Sequence, residues 1–99
     1  MAAMTEKQLS SKLGQILRDG RVKSDMTQRE LAKKLGYTSP QYVSNWERGR
    51  VTPPLYTLSK VAQLTHVPKD KIKKLLLDFN SQRYDEAFRN PKAFKTARH

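Results

Sequence analysis

Residues 27–53, TQRELAKKLGYTSPQYVSNWERGRVTP, constrain the chain more than any other stretch. Thr27 is suited to cap a helix, and Glu30, three residues on, completes a capping box. Leu31, Ala32 and Leu35 follow as one apolar face. Gly36 tolerates the left-handed backbone on which helices end. Ser39 and Pro40 then open a second helix, as N-cap and first helical residue. Val43 and Trp46, three apart, turn inward, and Gly49 with Pro53 and Pro54 closes the segment. The result is two short helices joined by a tight turn. Gln41, Ser44, Asn45 and Arg48 share the side of the second helix opposite Val43 and Trp46.

The flanking sequence repeats the helical period. Leu9, Leu13, Ile16 and Leu17 predict a helix over about residues 6–23, in which Gly14 and Gly20 each cost about 1 kcal/mol relative to Ala if both lie inside it; the alternative for Gly20 is a fraying helix end or a close helix contact. Leu58, Val61 and Ala62 mark a fourth helix over about 55–64. Pro68 opens a fifth, running to about 80, with Ile72, Leu75, Leu76 and Phe79 as its buried stripe. From residue 81 the pattern breaks. Tyr84, Phe88 and Phe94 stand as isolated anchors among Arg83, Arg89, Lys92, Lys95 and Arg98, and Pro91 interrupts any long helix. The expectation is an all-α chain: a five-helix domain over residues 1–80 and a basic tail over 81–99.

Charge gives the helix pair its meaning. Lys and Arg number 20 against 9 Asp and Glu, a formal net charge of +11. Such an excess attracts polyanions, nucleic acid first, but it serves equally as a solubilising surface. The motif decides between them. A helix fits the major groove, where each base pair shows a distinct donor and acceptor pattern. Gln41 and Asn45 match adenine N6 and N7, Ser44 bonds to any edge, and Arg48 reaches guanine or a phosphate. Gln28, at the start of the first helix of the pair, and Tyr42, Arg50 and Thr52 around the second are placed for phosphate contacts that set register.

The stretches TQRELAKKLG, VSNWERGR with Pro53 after it, and LSKVAQLTHV occur in order within residues 13–67. In this they resemble the Cro/repressor-type helix-turn-helix family, also called the xenobiotic response element (XRE) family. The resemblance implies a five-helix domain that binds operator DNA, usually as a two-fold dimer and most often as a repressor. It implies that Gln28 contacts phosphate and that Gln41, Ser44 and Asn45 read bases. Arg21 and Glu47 fall where the family often pairs an arginine late in its first helix with a glutamate late in its third. A partly buried structural ion pair is expected of them. The turn GYTSPQYV is one residue longer than the commonest form of the family, and Gly20 stands where a larger apolar residue is frequent.

Other readings carry less weight. Trp46, in phase with Val43, belongs to the core rather than to a stacking platform. Tyr37, Tyr42 and Tyr56 lack the strand pattern of single-strand binders. Lys69, Lys71, Lys73 and Lys74 are expected to be a solvated helix face. There is no Cys, and His66 and His99 are far apart, so no metal or other cofactor is expected. No catalytic motif is present, and the chain is not expected to be an enzyme. Its start has no apolar signal core and its longest apolar run is Leu75-Leu76-Leu77, so a cytoplasmic protein without membrane attachment is expected. A second reading is an antitoxin that binds its own operator and uses the tail to hold a toxin protein.

Overall fold

The computed structural model describes residues 4–89. They form five helices: α1 (Glu6–Lys23), α2 (Gln28–Lys34), α3 (Gln41–Glu47), α4 (Leu55–Thr65) and α5 (Lys69–Arg89). No strand occurs among the described residues. The helix starts follow from local chemistry. Thr5 Oγ1 accepts the Gln8 N–H at 3.1 Å, and Gln8 Oε1 accepts the Thr5 N–H at 2.9 Å. At α2 the same reciprocal box joins Thr27 and Glu30, at 3.0 and 2.9 Å. The Thr27 bonds hold the Glu30 carboxyl below its ordinary range. Ser39 Oγ accepts the Gln41 N–H at 3.1 Å, and Pro40 has helical dihedrals (φ −69°, ψ −9°). The chain thus turns helical at Pro40, one residue before regular helix bonding begins.

α1 is the spine against which α3, α4 and α5 pack. Leu9, Leu13 and Leu17 are buried on it, and Leu31, Ala32, Val43, Trp46, Leu58, Val61, Ala62, Ile72 and Phe79 complete the core. Full burial of a Leu, Val or Ile is worth about 1.5–3 kcal/mol, so this cluster is the main driving force for a chain of this size. The glycines of α1 have a purpose that propensity alone hides. A methyl at Gly14 would run into the backbone carbonyl oxygens of Trp46 and Glu47, and one at Gly20 into the Val67 side chain. Both positions let a neighbour approach closely, and neither frays the helix.

Two differences from the sequence expectation concern the C-terminal part. α5 does not stop near residue 80 but continues to Arg89, so residues 81–89 extend the helix rather than begin a separate tail. No Gly or Pro interrupts residues 69–89, and long-range bonds hold the extension. Gln82 Oε1 accepts the Met4 N–H at 2.8 Å, and Arg83 Nη1 lies 3.2 Å from Glu6 Oε1. Of the expected stripe, Ile72 and Phe79 are buried while Leu75 and Leu76 are half-buried. Tyr84 and Phe88 are 67% and 85% exposed. Pro91, Lys92, Phe94, Lys95, Arg98 and His99 lie outside the described residues.

Candidate nucleic-acid interface

α3, the second helix of the pair, is seated from several sides. Val43 and Trp46 are buried, and α3 packs against both α1 and α2. At its C-terminal end Gly49 adopts φ +72°, and a side chain there would meet the Ser11 backbone at 2.9 Å. Glu47 adds a polar anchor. Its Oε2 accepts Arg21 Nε at 2.5 Å and its Oε1 accepts Arg21 Nη2 at 3.0 Å. Arg21 Nη1 also donates to the Met26 carbonyl at 2.8 Å. The two side chains are 12% and 4% exposed, so this is an ion pair removed from most solvent screening. It joins α1, the loop before α2, and the end of α3.

Gln28 joins the same cluster, its Nε2 donating to Glu47 Oε1 at 2.9 Å. Sequence reasoning placed Gln28 at the start of α2 but had no signal for this long-range bond. One N–H remains on the carboxamide for an outside acceptor. Tyr42, Arg48, Arg50 and Thr52 are exposed around α3. Thr52 Oγ1 lies 2.6 Å from Ser10 Oγ, tying the basic loop to α1. Tyr42 stacks on Tyr37 with ring centroids 4.4 Å apart at 23°, and Tyr37 meets Trp46 edge-on at 5.6 Å. These rings face one another across the turn, which stiffens the approach to α3.

One expected surface residue is corrected. Ser44 is only 9% exposed, so it does not share the solvent-facing side with Gln41 and Arg48. The expectation assumed one buried edge, set by Val43 and Trp46. With α1 on one side and α2 on another, the covered arc is wider, and a side chain as short as serine does not reach past it. Gln41 and Arg48 are exposed and Asn45 is half-buried. Gln41 Nε2 donates to Asn45 Oδ1 at 2.9 Å, a contact between residues four apart on one helix face. Lys69, Lys71, Lys73 and Lys74 are all exposed on α5. Among the described residues, no helix is long and apolar enough to cross a membrane.

Comparison with known proteins agrees with this geometry. The helix-turn-helix family matches residues 17–72, more than half of the chain. The chain is 39% identical over 62 residues to the ImmF control region 10 kDa protein of Bacillus phage phi105, an alignment covering 63% of this chain and 68% of that protein. No solved structure matches the chain. With two seated helices, an exposed polar face on the second, and a family match spanning both, the chain belongs to the helix-turn-helix family of Cro/repressor (XRE) type, a family of DNA-binding transcriptional regulators.

Proposed function

We propose that this protein is a sequence-specific repressor that places α3 in the major groove of double-stranded DNA. The observation that carries the reading is a polar face, Gln41 and Arg48 exposed and Asn45 half-buried, on a helix held from behind by Val43, Trp46 and the Arg21–Glu47 pair. Fixed seating makes such a face useful, because base recognition requires defined donors and acceptors. Gln28, Tyr42, Arg50 and Thr52 act on phosphates and set the register of α3 on the duplex. Binding over a promoter would exclude polymerase.

The active species is a two-fold dimer that reads two half-sites about one helical turn apart. An apolar groove of about 460 Å3 between α4 and α5, lined by Leu58, Ile72 and Leu76, supports pairing with a second copy. Exposed Leu55 and Leu77 extend that surface. The test is selection of bound duplexes from random-sequence DNA. Enrichment of a two-fold symmetric site supports the proposal, and failure to enrich any sequence would sink it. The exposed Tyr84 and Phe88 on α5 support the second reading, an antitoxin that also grips a toxin protein. A small protein that co-purifies with the chain, and is lost from a Phe88→Ala variant, would favour it.

A further inference from the structure

We propose that Lys7 of α1 is a further contact to the DNA backbone, holding a phosphate next to the one at Thr52. This rests on the assignment of Arg50 and Thr52 to phosphates. Two close approaches lay the loop after α3 along α1. Thr52 Oγ1 lies 2.6 Å from Ser10 Oγ, across 42 residues of chain. A Cβ on Gly49 would stand 2.9 Å from Ser11 Cα, so the glycine lets the loop settle on the helix. Ser10 and Ser11 are therefore the α1 positions that face this loop. Lys7 precedes them by three and four residues, one turn away on the same face. Helix rise sets it about 4.5–6 Å further along the axis. Phosphates of one strand follow every ~3.4 Å along a duplex, so Lys7 falls one or two phosphates beyond Thr52.

The charges around α1 leave Lys7 free for this partner. It is exposed, and it enters no ion pair among the described residues. The acid beside it in sequence, Glu6, is turned toward α5, where Arg83 Nη1 lies 3.2 Å from its Oε1. The helix start needs no charge from either, because Thr5 and Gln8 satisfy one another. α1 thus offers a cation and a hydroxyl toward the loop and a carboxylate toward α5. Of the two hydroxyls on Ser10 and Thr52, one donates to the other, and the second O–H remains for a phosphate oxygen. Lysine holds phosphate as a point charge, which fixes register without reading sequence.

The experiment titrates the full chain against its selected duplex and a random duplex over a salt series. The variants are Lys7→Gln, Lys12→Gln and Arg50→Ala, each checked by circular dichroism for intact helices. Lys12 is the control, on the same helix and with the same charge, but lining the groove between α1 and α5 beside Ile16 and Leu75. Lys7→Gln should lower affinity for both duplexes alike, about 5- to 10-fold at ~0.1 M salt. It should also reduce the slope of log affinity against log salt by about 1, while Lys12→Gln leaves the slope unchanged. Equal slopes for Lys7→Gln and Lys12→Gln, with Arg50→Ala still lowering its own, would overturn the Lys7 contact and leave DNA binding in place. A loss confined to the selected duplex would also overturn it, because a phosphate contact carries no sequence preference. A wild-type affinity that does not fall with salt would overturn the phosphate assignments and the inference with them.

Discussion

Glu47 carries more of the site's architecture than any residue that faces outward. It accepts from Arg21 on both carboxylate oxygens and from Gln28 on one, so a single side chain connects Arg21 of α1 and Gln28 of α2 to the end of α3. Removing it leaves Arg21 charged and largely buried without its counter-ion. Glu47→Ala should therefore lower unfolding free energy in urea by about 3–5 kcal/mol. Replacing both partners, as Arg21→Met with Glu47→Leu, should restore most of that loss, because no charge is then stranded. Equal stability of Glu47→Ala and wild type would remove the pair from any structural role. Arg50, exposed and outside this cluster, belongs to a different class. Arg50→Ala should weaken binding to all duplexes alike and reduce the slope of log affinity against log salt by about 1. At this scale the sequence was informative about residue type and weak about company. Gln41 and Arg48 are exposed because helical phase alone puts them there. Ser44 is buried because two neighbouring helices cover it, and the Gln28–Glu47 bond spans 19 residues, which no local pattern encodes.

Helix ends divide into those written locally and those settled at a distance. The Thr27–Glu30 box is of the first kind and was legible, since a threonine and a glutamate three apart suffice to specify it. It also gives α2 a pH response. The folded state holds the Glu30 carboxyl below its ordinary range, so the charged form favours folding above the unfolded value, and the benefit disappears as pH falls through the folded one. A Glu30→Gln variant should lose less stability than wild type through that acid window, read as urea midpoints along a pH series. The far end of α5 is of the second kind. Nothing between Asn80 and Arg89 marks a stop, and the bonds from Gln82 and Arg83 to residues 78 and 77 positions away decide that the helix continues. Close approach between helices is equally hard to read in advance. Gly14 looked like a weak spot in α1, yet its missing side chain makes room for the last turn of α3. Gly14→Ala should cost about 1–3 kcal/mol by overpacking against backbone that has nowhere to go. It should also weaken specific DNA binding more than non-specific binding, measured by titration of selected and random duplexes, because α3 must shift.

At the scale of the whole molecule, a formal charge of +11 surrounds a small apolar core. The fold class was legible because every core element announces itself by helical period, and five short amphipathic segments have few ways to bury their stripes. The assembly was not, because an exposed leucine has the same spacing whether it meets solvent or another subunit. Ending the chain at Asn80 would separate two surfaces, the α4–α5 groove and the aromatic end of α5. Loss of the Gln82 and Arg83 contacts should lower stability by about 1 kcal/mol while unfolding stays cooperative. For the proposed dimer, sedimentation of a truncated chain that stays dimeric would place the subunit contact outside residues 81–99, as the groove is, and a monomer would place it within them.

The seating of Trp46 has a spectroscopic consequence. It is the only tryptophan in the chain, it is buried in α3, and the Tyr37 ring meets it edge-on. Its emission is therefore an intrinsic, label-free gauge of one helix. A melt followed at this wavelength reports the unseating of α3, whereas ellipticity reports all the helices together. Where the two curves separate, α3 loosens before the scaffold does; where they superimpose, α3 is as durable as the domain that bears it.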